Sequence, residues 1–117
     1  MRPRILLVDD DVEICQFLQV LLELEGFETR TAKTADQALA ALDEGARAVL
    51  LDIAMPDVDG LELCQRMRTA GFTGPILIVS ARPGADLPRK ASEAGASGFV
   101  RKPFDNAELV SRLKALL

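Results

Sequence analysis

Four aspartates are the residues best suited to chemistry. Asp9, Asp10 and Asp11 follow the apolar run Ile5-Leu6-Leu7-Val8, and Asp52 follows Ala48-Val49-Leu50-Leu51. Short apolar runs rich in branched residues read as buried strands of a parallel sheet. If both strands run the same way, Asp9, Asp10 and Asp52 emerge together at the carboxyl edge of that sheet, where open α/β sheets bind ligands. Three carboxylates in one pocket repel one another unless a cation or a lysine joins them. A hard divalent ion satisfies that need, and magnesium is usually held by one or two carboxylates together with phosphate oxygens. The acidic clusters therefore point to magnesium-dependent phosphoryl chemistry.

Strand and helix signals alternate along the whole chain. Residues 4–8 read as a strand. Asp11 then caps a helix over 12–25, with Val12, Cys15, Leu18, Leu21 and Leu22 apolar at helical spacing and Gly26 as its stop. A weaker strand over 27–32 leads to Thr34, the cap of a helix reaching Leu42. A third strand covers 47–51, and a helix over 60–69 follows the loop that begins at Asp52. Residues 75–80 form a fourth strand without polar alternation. Pro83, Gly84 and Pro88 interrupt the segment 81–94, which leaves only a short helix after Pro88. A fifth strand covers 97–101. The last helix, 105–117, presents Leu109, Val110, Leu113 and Leu117 on one face. Five strands alternating with helices predict a doubly wound α/β fold, a parallel sheet with right-handed crossovers and helices on both faces.

Composition narrows the function. The 117 residues suit one domain over 1–117, here with no output domain, and 49% apolar content excludes wholesale disorder. No apolar stretch approaches the ~20 residues of a membrane span, and no signal-peptide core opens the chain, so a cytoplasmic protein without membrane contact is expected. Cys15 and Cys64 lack metal-ligand spacing and read as buried, reduced core residues. The chain has no histidine, so any phosphohistidine belongs to a partner. A net charge of −4 and the lack of interleaved aromatics argue against direct nucleic-acid binding.

Four sites converge on strand ends: Asp9 and Asp10 after the first, Asp52 after the third, Ser80 closing the fourth, and Lys102 just past the fifth. Each alone has an ordinary reading as a helix cap, a turn residue or a surface lysine. Together at the carboxyl ends of parallel strands they form a constellation. With this set in view, the chain resembles a response-regulator receiver domain, the phospho-accepting module of two-component signalling. The resemblance rests on Leu6-Leu7-Val8-Asp9-Asp10-Asp11, on Leu51-Asp52-Ile53-Ala54-Met55-Pro56-Asp57-Val58-Asp59-Gly60, on Val79-Ser80-Ala81, and on Gly95-Ala96 through Lys102-Pro103-Phe104. It spans residues 4 to 117.

The resemblance implies a flavodoxin-like (βα)5 fold with strand order 2-1-3-4-5, and a switch that catalyses only its own phosphorylation and dephosphorylation. Asp52 would accept the phosphoryl group from a sensor histidine kinase or a histidine phosphotransfer protein. Asp10 would bind magnesium directly and Asp9 partly through water, with Asp52 and the backbone carbonyl of Ala54 as further ligands. Lys102 would offset the acidic cluster and later pair with the phosphoryl oxygens, while Ser80 would move toward them. Phe99 would be the switch aromatic, although simple core packing explains it equally well. Lys102-Pro103 is a candidate cis peptide. Ala54 and Arg82, two residues after Asp52 and Ser80, would tune dephosphorylation. Output to a downstream protein or output domain would run through the fourth helix, fifth strand and fifth helix. The chain would be a monomer, with dimerisation on phosphorylation as the alternative.

Two departures from the receiver pattern stand out. Pro83, Gly84 and Pro88 fall where many receivers have a charged, well-formed helix. Ser97-Gly98 also replaces the acidic residues that the DNA-binding branch carries after Gly95-Ala96, which weakens the case for that branch's charged dimer network. Other readings are a magnesium-dependent aspartyl phosphatase, an interaction-only receiver, or a receiver cut from a transcriptional regulator or hybrid kinase. The phosphatase reading lacks its second acid, because Ala54 occupies that position.

Overall fold

The computed structural model describes residues 2–56 and 58–117; Asp57, inside the loop motif after Asp52, lies outside them. Among the described residues ten elements alternate: β1 (Arg4–Val8), α1 (Val12–Leu24), β2 (Glu28–Ala32), α2 (Ala35–Leu42), β3 (Ala48–Leu51), α3 (Gly60–Thr69), β4 (Ile76–Ser80), α4 (Leu87–Glu93), β5 (Gly98–Arg101) and α5 (Asn106–Leu116). The sheet order is β2-β1-β3-β4-β5 and every pairing is parallel. Side chains alternate between its two faces. Leu6, Val8, Val49, Leu51, Ile76 and Ile78 pack with Ala38 of α2, Leu63 and Met67 of α3 and Ala91 of α4. Ile5, Leu7, Leu50, Leu77, Val79 and Val100 pack with Leu18 and Leu22 of α1 and Leu109 and Leu113 of α5. Helices cover both faces, so the inner strands read as unbroken apolar runs.

Caps set most helix starts. The carboxylates of Asp11, Asp59 and Asp105 each accept two backbone N–H bonds at the first turns of α1, α3 and α5, and the Thr34 hydroxyl accepts one at α2. The segment interrupted by proline and glycine differs from expectation. α4 begins at Leu87, one residue before Pro88, because a proline fits the first helical turn and Leu87 is buried. Asp86 caps it without a side-chain bond. Two residues expected on apolar helix faces are exposed: Val12 in the first turn of α1, and Leu117 beyond the last turn of α5.

Arg68 ties together loops at the sheet's amino edge. Its Nε donates to the Gly95 carbonyl at 2.9 Å, its Nη1 donates to the Phe72 and Gly74 carbonyls at 2.9 and 2.6 Å, and its Nη2 donates to Ser97 Oγ at 3.4 Å. The guanidinium also lies 5.7 Å from the Phe72 ring centroid. Net contributions of ~0.5–1.5 kcal/mol per bond, reduced by partial exposure, give an expected loss of about 2–3 kcal/mol for Arg68→Ala. Denaturant unfolding checks this, and a loss below about 0.5 kcal/mol would contradict it.

Candidate phosphoryl and metal site

Parallel register brings the site together. Val8 of β1 pairs with Leu51 of β3, so Asp9 and Asp52 leave adjacent strands side by side. The Asp52 N–H donates to the Val8 carbonyl at 2.9 Å, and the Asp9 N–H donates to the Ala32 carbonyl at 3.1 Å. Ser80 pairs with Arg101, and the Lys102 N–H donates to the Ser80 carbonyl at 2.9 Å. All four strand ends thus open at one edge, beside the β1/β3 boundary where the strand order reverses.

Asp9, Asp10 and Asp52 each offer a carboxylate oxygen within 4.8 Å of the others. Lys102 Nζ lies between two of them, 3.3 Å from Asp9 Oδ2 and 3.3 Å from Asp52 Oδ2. These side chains are nearly enclosed, with 19% of Lys102, 6% of Asp9 and 11% of Asp52 accessible. The other oxygens of the two acids are oriented by backbone. Asp9 Oδ1 accepts from the Asp11 N–H at 3.0 Å, and Asp52 Oδ1 accepts from the Ala54 N–H at 2.8 Å. Asp10 is exposed at the mouth, where it also borders an open groove of about 290 Å³ lined by Lys33, Thr34, Met55 and Pro56.

Ser80 is fully buried, and its Oγ accepts from the Arg82 N–H at 3.0 Å. Phe99 is half-buried against the α4 side of the core. Ala54 and Arg82 are both exposed. The Lys102–Pro103 peptide is cis. Cys15 and Cys64 are buried and unpaired; the Cys15 thiol donates to the Asp9 carbonyl at 3.5 Å.

Gly60 fixes the loop that follows Asp52. A Cβ there would sit 2.3 Å from Ile53 Cα, so only glycine lets the start of α3 close against the residue after Asp52.

The electrostatics follow from one lysine facing a surplus of acid. Burial raises the Asp9 pKa; the Asp11 N–H and Lys102 oppose the rise, and Asp52 adds to it. For Lys102, burial works against the charge, but the Asp52 and Asp9 carboxylates outweigh it and the pKa ends above its ordinary value. Because the fold holds Asp9's proton more tightly than the unfolded chain does, Asp9 ionisation weakens the metal-free fold at neutral pH. That penalty fades as pH falls through the raised folded value and is gone below the ordinary 3.8. Asp9→Asn should therefore melt above the wild type at pH 7 in chelator, with the gap closing toward pH 3.8. A gap of the opposite sign at pH 7 would contradict the surplus of negative charge.

Two arginines beyond the sequence candidates also touch this region. Arg101 donates to the Arg82 and Gly84 carbonyls, each at 2.9 Å. Arg112 donates to the Phe99 carbonyl at 2.8 Å. Only its place beside Lys102 marks Arg101 in the sequence.

The profile of the response regulator receiver domain family matches residues 5–114. The CpxR homologue of Haemophilus influenzae, a transcriptional regulatory protein, is 42% identical over 115 residues, covering 97% of this chain and 50% of its own length. The chain spans about half the length of the curated relatives it matches. A CheY-like receiver domain protein of Methanospirillum hungatei shares the fold with a TM-score of 0.90 at 29% identity, over 98% of this chain and 93% of its own. The beryllofluoride-activated N-terminal receiver domain of Klebsiella pneumoniae RstA matches with a TM-score of 0.89 at 28% identity, over 97% of each chain. On a profile that runs through eight of its ten described elements in full and through most of β1 and α5, and on a sheet order shared with these structures, this chain belongs to the response regulator receiver domain family, whose members are aspartate-phosphorylated switches of two-component signalling.

Proposed function

We propose that Asp52 is the phospho-acceptor, taking its phosphoryl group from the phosphohistidine of a sensor histidine kinase or a histidine phosphotransfer protein. The observation that carries this reading is the convergence of three carboxylate oxygens within 4.8 Å, with the Lys102 ammonium between Asp9 and Asp52. An all-oxygen donor set of this kind suits magnesium, held by Asp9, Asp10, Asp52 and the Ala54 carbonyl. When bound, the ion supplies positive charge against the phosphoryl oxygens.

The chain's own groups then have distinct tasks. Asp52 Oδ1 is held by the Ala54 N–H, and Oδ2 is the attacking oxygen once the Lys102 ammonium beside it shifts to the incoming phosphoryl group. It forms an O–P bond while the P–N bond of the partner's phosphohistidine breaks, and the imidazole nitrogen keeps the electron pair. Lys102 exchanges its carboxylate partner for a phosphoryl oxygen. The Ser80 hydroxyl turns to donate to the same group, and Phe99 follows inward. The added charge of roughly −1.5 to −2 drives both shifts. The altered surface is the face of α4, β5 and α5, read by a downstream protein or an output domain.

This reading is tested by incubating the chain with a small phosphoramidate donor. One phosphoryl group per chain should appear with magnesium and none in chelator. Uptake that is indifferent to magnesium would refute it.

The lifetime of the acyl phosphate should depend on two exposed positions. Hydrolysis needs a water aligned opposite Asp52, Ala54 has no polar atom to orient it, and the Arg82 side chain is long enough to shield the phosphoryl group. Ala54→Asn and Arg82→Glu are each expected to speed dephosphorylation several-fold, measured as loss of the phosphorylated mass over time. Unchanged decay in both would contradict this.

A further inference from the structure

The segment between Ser80 and α4 has no regular structure, yet side chains pin it at both ends. At one end Ser80 Oγ accepts from the Arg82 N–H at 3.0 Å. At the other, the Arg101 guanidinium donates from Nη1 to the Arg82 carbonyl and from Nη2 to the Gly84 carbonyl, both at 2.9 Å. The same guanidinium lies 5.2 Å from the Phe99 ring centroid, within the range of a cation–π contact. Arg101 is register-paired with Ser80 and precedes Lys102, so its backbone is fixed to the two strand ends that flank the pocket. One exposed side chain therefore contacts both moving parts of the switch, the segment that must follow Ser80 and the ring that must turn.

The geometry points to Arg101 as a positioning residue that restrains the switch: by holding the Arg82 and Gly84 carbonyls while lying over Phe99, it favours the present arrangement and lowers the pocket's affinity for a phosphoryl group. This rests on the roles proposed above for Asp52, Ser80 and Phe99. Contacts made in one arrangement and lost in the other bias the equilibrium by their difference. Movement of Ser80 toward Asp52 draws the segment away from the fixed strand end, and inward rotation of Phe99 removes the ring from beneath the guanidinium. Both sets of Arg101 contacts belong to the present arrangement.

The test is the affinity of the full chain for beryllofluoride with magnesium. The chain has no Trp or Tyr, so binding is followed by titrating backbone amide NMR signals. Arg101→Lys keeps the positive charge near the pocket but loses the paired donors and the flat stacking surface. It is expected to bind beryllofluoride about five-fold more tightly than wild type, at the low end of usual coupling between sites. Thermal midpoints with and without the mimic provide a control. A purely structural role would lower both alike and leave affinity unchanged, whereas a restraint lowers chiefly the midpoint of the free chain. Unchanged or weaker binding by Arg101→Lys overturns the restraint while leaving the phospho-acceptor reading intact. A wild-type chain that takes up no beryllofluoride overturns both.

Discussion

Asp52→Asn is expected to lose phosphoryl uptake entirely while keeping its fold. The amide preserves the shape of the carboxylate, and its oxygen can still accept the Ala54 N–H that holds Asp52 Oδ1 at 2.8 Å. It offers no anionic oxygen for attack on phosphorus. It also removes one of the acids that share Lys102, so the metal-free variant should be no less stable than the wild type. Mass measurement after incubation with donor and magnesium, together with a melting curve, checks both halves. Residual uptake at the wild-type level would transfer the acceptor role to another residue.

Lys102→Met is expected to lower stability about as much as Arg68→Ala, but from within the site. Its ammonium sits 3.3 Å from both Asp9 Oδ2 and Asp52 Oδ2, in a site where the acids are 6% and 11% accessible. Removing one partner of a buried pair typically costs ~3–5 kcal/mol, because it strands the remaining charge. Here proton uptake by Asp9, whose pKa is already raised chiefly by burial, offsets part of the loss, so about 2–3 kcal/mol is expected at pH 7 in chelator. The pH dependence has a definite sign. Lys102's stabilisation is complete below its ordinary 10.5 and is lost as pH rises through the higher folded value. The gap between wild type and variant should therefore close only above pH 10.5. Magnesium should stabilise the variant more than the wild type, since the ion takes over the work of the missing charge. Denaturant unfolding with and without magnesium decides the matter, and equal stability of the two chains in chelator would mean that Lys102 is not the counter-charge.

Much of this was legible in the sequence, for specific physical reasons. Strands buried on both faces need no alternation, so Ile5 to Val8 and Ile76 to Val79 announced themselves as apolar runs. Because parallel strands all present the same end at one edge, Asp9, Asp52, Ser80 and Lys102 group together on the sequence alone. Helix boundaries were harder. Pro88 marked a start for α4, but the buried side chain of Leu87 draws the helix one residue earlier. Val12 and Leu117 have the right spacing for a core face but fall at helix ends, where they are exposed. Arg68 and Arg101 were hard to see because their main partners are backbone carbonyls in loops 4 to 27 and 17 to 19 residues away, and a carbonyl leaves no mark on residue type. Gly60 was readable as part of a motif, but its cause, the approach of Ile53, is tertiary.

The most direct test of the central claim is to locate the phosphoryl group. Borohydride reduces an aspartyl phosphate to homoserine, and no other carboxylate in the chain is activated for that reduction. After incubation with donor and magnesium, reduction and peptide sequencing by mass spectrometry should place homoserine at position 52 alone. Homoserine at Asp9 or Asp10, or phosphate on a hydroxyl such as Ser80 with Asp52 unmodified, would contradict the account.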